Sequence, residues 1–391
     1  MRDSTLKVAI IRLSSLGDII VALVFLDLIK GKFTNRNVEI SWIVDSQFRG
    51  ILENSPLVDK IIDLPLRQSK KNKRLIFSII KKVRSLGRFD KVIDSQGLLK
   101  SALIGKMLKK SEFIGYDKDS IREKIASFFY TKKAQIAYNE HILKRQYELF
   151  KVAFDSVAWE GDFRLEMLDS RNRAIDSSKN AKAKIAEIIA QSDKNPQNTE
   201  NIAPHKANKK ILFLCETSKA DKEFALTSFY ALAKGLWSAY HNATIFLIWD
   251  KKESEIRALG AMDSRFCVLP HLNFDEIKAL LGNMDLVIGG DTGITHCAWA
   301  MRVPTITIYV STNIKRFALG GEKHYSLSVG KNSSLGGGNS PLELHSANLA
   351  NFGRSQTLSL ASRPKFTKNH ESQTENPSVV LNAKSKNNPS F

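Results

Sequence analysis

Up to about residue 310, short apolar runs rich in β-branched residues alternate with longer stretches of helical spacing. Residues 7–12, Lys-Val-Ala-Ile-Ile-Arg, read as a buried strand, and residues 19–29 have the length and composition of a buried helix. Further strands are expected at 38–44, 58–64, 89–94 and 113–115. Helices are expected from Asp45 and Ser46 through Leu52, from the basic cluster at 67–74 to Leu86, and over 100–108, 121–129, 141–153 and 171–190. Residues 191–208 then turn polar, with two prolines, four asparagines and no periodicity, the composition of a linker. Beyond them the alternation restarts, with strands at 210–215, 243–249, 266–269, 286–289 and 303–309 and helices at 225–240, at 274–281 and after Gly293. Strand–helix repetition with connections long enough for right-handed crossovers predicts an α/β chain with two parallel, doubly wound sheets in tandem.

After residue 312 the pattern fades. Residues 331–391 hold 11 Ser and 9 Asn among 61 positions, with few aromatics, too little apolar material for a packed core. The expected organisation is a Rossmann-like domain over 1–175, a helix and polar linker over 176–208, a second Rossmann-like domain over 209–312, and a low-complexity, disordered tail over 313–391.

Composition narrows the class. The 391 residues hold 43% hydrophobic and 25% charged residues, as a soluble globular protein does. Three widely spaced cysteines give neither a disulfide framework nor a zinc pattern, and the histidines show no metal-ligand spacing, so no metal or other cofactor is expected. The amino terminus has no signal-peptide layout, and no apolar run reaches the roughly 18 residues of a membrane span. Net charge is +19, and residues 60–150 alone carry 22 Lys and Arg against 9 Asp and Glu. Such a surplus attracts nucleic acid, an anionic membrane face or a phosphorylated substrate, or serves solubility alone. The cluster Arg67, Lys70, Lys71, Lys73 and Arg74 has no interleaved aromatics, which argues against a stacking nucleic-acid platform.

Polar groups gather where strands hand over to helices, the place where open parallel sheets bind ligands. Ser14, Ser15, Gly17 and Asp18 make one such turn, and Asp18 is either a capping carboxylate or a general base. Ser95, Gln96 and Gly97 make another. In the second half, Gly289 and Gly290 run into Asp291, Thr292, Gly293 and His296. Glycines let the backbone close on a ligand and helix-start amides donate to anions, although a plain turn capped by Asp291 fits the same residues. Thr217, Ser218 and Lys222 suit a diphosphate, with Lys222 supplying charge to a departing anion, or else form a solvated loop. Neither half carries G-x-G-x-x-G or a P-loop, which counts against a nicotinamide dehydrogenase.

Several stretches taken together are similar to the ADP-heptose:lipopolysaccharide heptosyltransferases, glycosyltransferase family 9. They are Arg12-Leu-Ser-Ser-Leu-Gly-Asp18, the Phe89-Asp-Lys-Val-Ile-Asp-Ser-Gln-Gly97 run, residues 115–130 and 141–150, Thr217-Ser-Lys-Ala-Asp-Lys222, and Asp291-Thr-Gly-Ile-Thr-His296. The resemblance spans roughly residues 6–310 and implies a GT-B fold, two Rossmann-like domains with the active site in the cleft between them. It further implies an inverting, metal-independent glycosyltransferase that takes ADP-heptose as donor and Kdo–lipid A as acceptor in lipopolysaccharide inner-core synthesis. Asp18 matches the general base. Thr217, Ser218, Lys222, Glu253, Asp291, Thr292, Gly293 and His296 match the donor site. Ser15, Gly17, Gln96, Gly97, Arg67, Lys70, Lys71, Lys73 and Arg122 fall on the acceptor side. The implied setting is cytoplasmic, peripherally on the anionic inner leaflet, with no nucleic acid. Transfer onto heptose instead of Kdo, or a non-catalytic polyanion-binding protein, are the alternatives the residues leave open.

Overall fold

The structure, a computed structural model, describes residues 5–32, 37–69, 71–154, 163–169, 174–193, 208–240, 243–329, 358–361 and 380–383. The first half supplies strands β1 (Leu6–Ile11), β2 (Val38–Asp45), β3 (Lys60–Leu64), β4 (Phe89–Asp94), β5 (Lys110–Tyr116) and β6 (Lys132–Ala134). The second supplies β7 (Lys209–Leu214), β8 (Ala243–Leu247), β9 (Phe266–Val268), β10 (Leu286–Gly290), β11 (Thr305–Tyr309) and β12 (His324–Ser328). All pairings within these sheets are parallel, in the orders β3-β2-β1-β4-β5-β6 and β12-β11-β10-β7-β8-β9. Both are the same doubly wound order. Each sheet therefore reverses winding at one place, β1/β4 in the first and β7/β10 in the second, and a crevice opens there beyond the strand ends. The register Ile11↔Asp94 and Leu214↔Gly289 brings the loops after those strands side by side.

Burial follows the sequence pattern. The near-continuous apolar strands β1, β2 and β7 are covered on both faces, as parallel sheets require. One apolar cluster runs through the first domain and on into the second by way of helices Phe274–Leu281 and Gly293–Ala300, and a separate cluster fills the other face of the second sheet. The helices carrying the joint meet the first domain directly. Lys278, wholly buried, donates to the Glu53 carbonyl, and Asn54 donates to Asp275 at 2.8 Å.

Several expectations are corrected. The 19–29 helix is two, Leu16–Leu23 and Leu26–Lys32, because an apolar run buried on every side hides the break at Val24 and Phe25. The 121–129 helix is a 3-10 helix, Lys124–Phe129, and the 171–190 helix starts at Lys179. The basic cluster does not open one long helix: Arg67 sits on the separate short helix Leu66–Ser69, the next helix is Arg74–Ser85, and Lys70 lies outside the described residues. Strand β6 was too short to register as a pattern. Strand β12 lies past residue 312, where an end to the ordered pattern was expected, and it adds an edge strand to the second sheet. Most of 191–208 and of 330–391 lies outside the described residues; within the latter, 358–361 pairs antiparallel with 380–383.

Candidate active site

Beyond β1, the chain turns through residues 12–15 into helix Leu16–Leu23. The turn is held from β4: the Gln96 carboxamide accepts from the Leu13 amide at 2.7 Å and the Ser14 amide at 3.2 Å, and donates to Ser14 Oγ at 3.2 Å. Gln96 is itself set by the buried Asp94, which accepts from the Gln96 and Gly97 amides and the Tyr130 hydroxyl at 2.9, 3.1 and 2.7 Å. Burial pushes the Asp94 carboxyl above its ordinary pKa despite those donors. Gly97 takes φ +68°, the left-handed region open to glycine, and a Cβ there would meet Ile121.

Asp18 occupies the third helical position. Its Oδ2 accepts from the Ser15 amide at 3.2 Å and the Ser15 hydroxyl at 2.9 Å, and pairs with Arg12 at 2.8 Å. Burial raises its pKa, but the Arg12 charge and the Ser15 donors outweigh that and hold it below the usual carboxylate value. Oδ1 has no protein partner among the described residues. The side chain is 35% exposed and opens on a cavity of about 340 Å³. One oxygen thus holds the helix start while the other faces the cavity without a partner among those residues.

The cavity wall is strongly basic. Arg12, Arg122, Arg145 and Arg316 line it, with Ser14, Ser15, Gln96 and Gly97 from the turns, Tyr116 under Arg145, and Tyr138 near both Arg145 and Arg316. Arg145 is nearly buried, donating to the carbonyls of Ser120 and Ala137 at 2.7 and 2.8 Å, and no carboxylate pairs with it among the described residues. Among the described residues, the buried N–H groups of Arg12 (Nε), Gln146 (Nε2) and Arg316 (Nε) have no partner. Four guanidinium groups around one polar cavity fit an anionic ligand.

In the second domain, Asp291 follows β10 and is the hub. It accepts from Lys222 Nζ at 2.7 Å and Thr312 Oγ1 at 2.8 Å, and meets His296 Nε2 at 3.2 Å. Burial alone would raise its pKa, but His296 and Lys222 hold the carboxyl far below its ordinary value, so it stays ionised. Thr292 caps helix Gly293–Ala300 through the Thr295 amide at 3.3 Å. Gly290 gives Thr217 room, since a Cβ there would lie 2.7 Å from the Thr217 methyl. Thr217 donates to the Lys219 carbonyl at 2.6 Å and Ser218 is exposed.

The two sites adjoin. A Cβ on Gly17 would lie 2.6 Å from His296 Nδ1, and one on Gly293 would lie 2.4 Å from Leu16 Cγ. Each glycine admits a side chain of the other domain, so helices Leu16–Leu23 and Gly293–Ala300 meet at their amino-terminal ends. Asp18 is one residue from the Gly17–His296 contact, and His296 leads through Asp291 to Lys222.

Not every candidate converges. Arg67, Lys71 and Lys73 are exposed and absent from the cavity wall, and Gly17 is buried beneath His296 instead of facing an acceptor. Gln96 reaches the cavity but its carboxamide holds the turn. Glu253 pairs on its own helix with Arg257 at 2.8 Å. Sequence reading missed Arg145 and Arg316 as cavity residues: neither stands in a charged run, and only folding gathers them.

Residues 76–335 match the family described as Glycosyltransferase family 9 (heptosyltransferase). Lipopolysaccharide heptosyltransferase 1 of Campylobacter coli is 32% identical over 319 residues, covering 78% of this chain and 84% of that protein. The chain belongs to glycosyltransferase family 9. It is a heptosyltransferase of lipopolysaccharide core synthesis. Among other members, lipopolysaccharide heptosyltransferase 1 of Pseudomonas aeruginosa is 28% identical over 325 residues, covering 79% of each chain. The E. coli heptosyltransferase WaaC with ADP superposes with a TM-score of 0.65 at 23% identity, over 83% of this chain and 93% of that one, and shares the GT-B fold.

Proposed function

We propose that this heptosyltransferase moves heptose from ADP-heptose onto a hydroxyl of Kdo on Kdo–lipid A, with inversion and with Asp18 as the general base. The observation that carries the reading is the unpartnered Oδ1 of Asp18, opening on an arginine-lined cavity beside the Asp291–Lys222 hub. The curated relatives, at 26–32% identity, bear the name lipopolysaccharide heptosyltransferase 1, which favours the Kdo acceptor over a heptose acceptor. In the reaction, Asp18 Oδ1 takes the proton of the acceptor hydroxyl as its oxygen bonds the anomeric carbon. The bond from that carbon to the diphosphate breaks on the opposite face, and ADP leaves. One such displacement inverts the centre. Lys222, paired with Asp291, and the amides starting helix Gly293–Ala300 stabilise the departing diphosphate.

The acceptor's lipid also requires access to a bilayer. Among the described residues no helix is long and apolar enough to cross a membrane. The 3-10 helix Lys124–Phe129 leaves Ile125 61% and Phe128 80% exposed, and its three-residue period points both the same way. It packs on helix Leu99–Met107, where exposed Leu103 lies between Lys100 and Lys106. Neither element carries an acidic residue, and both run on from cavity-wall residues, at 97–98 and 121–122. This face supports peripheral docking on anionic lipid, at the cytoplasmic side of the inner membrane.

ADP release from ADP-heptose, with Kdo–lipid A as acceptor and the product identified by mass, tests the reading. Turnover is expected with or without EDTA. Asp18→Asn should lower it by roughly 10²–10⁴-fold, the usual contribution of a general base, while ADP still binds. Turnover only with a heptosylated acceptor, or an undiminished Asp18→Asn, would refute it.

A further inference from the structure

We infer that Arg316, carried by the second domain, is a specificity-determining residue for the acceptor: with Arg145 of the first domain it forms an oxyanion subsite around Tyr138, distinct from the Arg12–Asp18 pair. The inference rests on the acceptor reading above and adds the second domain to a pocket otherwise built by the first.

Arg316 lies on the short helix Ile314–Phe317, between β11 and β12. Its guanidinium stands 4.2 Å from the Tyr138 ring centroid, and that of Arg145 stands 5.5 Å from the same ring. The two cations are near enough for the charge of Arg316 to lower the pKa of Arg145, after burial. Two positive charges on one ring repel each other, and a neighbouring carboxylate would normally relieve them. None does among the described residues. The hydrogen bonds of Arg145 go to carbonyls, and among the described residues the Arg316 guanidinium makes no hydrogen bond or ion pair. Both side chains line the cavity, so the missing counter-charge belongs to whatever fills it. A planar guanidinium fork suits a carboxylate or a phosphate.

The segment is also seated for this purpose. His141 Nε2 lies 2.8 Å from the Ala318 carbonyl, and the Tyr309 hydroxyl donates to the Phe317 carbonyl at 3.1 Å. Arg316 is thereby fixed over the first domain's pocket only while the two domains are together. An acceptor anion held by both arginines favours that closed arrangement, in which Asp18 lies beside the donor residues.

Calorimetric binding of Kdo–lipid A in detergent to wild type, Arg316→Ala and Arg316→Lys, together with acceptor and donor KM values, tests the inference. Loss of a charge-assisted hydrogen bond to the acceptor predicts about ten- to a hundred-fold weaker acceptor binding in Arg316→Ala. ADP affinity should stay within about two-fold of wild type, with partial recovery in Arg316→Lys. Acceptors with reduced carboxyls or with phosphates removed identify the source of the anion: the ratio of wild type to Arg316→Ala should collapse for one of them. Unchanged acceptor binding, an equal loss for ADP, or a ratio that survives removal of both anions would overturn the inference. A wild-type enzyme that binds this acceptor but transfers no heptose to it strikes the proposed reaction and leaves the subsite standing.

Discussion

Asp18 shows how one carboxylate can cap a helix and still fit the proposed role of base. Its Oδ2 is held by Arg12 and Ser15 while Oδ1 stays without a partner among the described residues, and the Arg12 charge lowers the pKa against the effect of burial. Asp18 is therefore ionised throughout the neutral range, and if it is the proposed base, activity is lost only as pH falls through its lowered pKa. The acid limb of kcat/KM for the acceptor is expected below pH about 4, the ordinary aspartate value, and a limb above pH 5 would assign it to another group. Gly17 makes a second residue-scale prediction. A methyl group there must displace the His296 ring, whose other nitrogen engages Asp291. Gly17→Ala should cost about 1–3 kcal/mol by overpacking, read as a lower Tm with slower turnover. Wild-type values for both would show that the helix ends are not so tightly opposed. The stretch from Ser14 to Asp18 was legible as a candidate site in the sequence, because a strand, a polar turn and a helix follow one another within a dozen residues. That Gly17 packs against His296 at the domain joint was not legible, since its partner lies far along the chain.

At the scale of elements, the strands were easy to read and their edges were not. β4 and the Phe274–Leu281 helix fall where periodicity puts them, the latter with an Asn273–Glu276 capping box. β6 and β12, both at sheet edges, are short and half-polar, so their alternation is too weak to stand out. The 3-10 helix Lys124–Phe129 shows why the period matters. Ile125 and Phe128, one 3-10 turn apart, share a face, and the structure turns that face outward. Replacing both by serine should weaken sedimentation with vesicles of anionic lipid several-fold, while Met262→Ser, an exposed apolar residue of the second domain, should not. Equal binding by all three would remove this face from the membrane reading.

For the whole molecule, the decisive feature is the joint between domains. Lys278 is wholly buried, with Glu53 and Asp275 as partners, and burial lowers its pKa. Lys278→Ala leaves the Glu53 carbonyl unsatisfied and should cost about 1–3 kcal/mol or more, seen as a lower midpoint in urea. Lys278→Met, which keeps the volume, should cost less, and an unchanged midpoint for the alanine variant would mean that this contact does not hold the joint.

Local order determined much of this protein. The period of apolar residues dictates strand or helix, and polar turns at strand ends mark where parallel sheets open to ligands, so two doubly wound domains and the residues around Asp18 and Asp291 follow from the chain alone. Only tertiary structure decided which charges share a space. Arg12, Arg145 and Arg316 meet in one cavity while the conspicuous run at Arg67, Lys71 and Lys73 stays outside it, because a charge run in sequence marks a solvated face as readily as a site. Electrostatic work depends on distance through space and on the water excluded, and neither quantity is written in the spacing of residues along a chain.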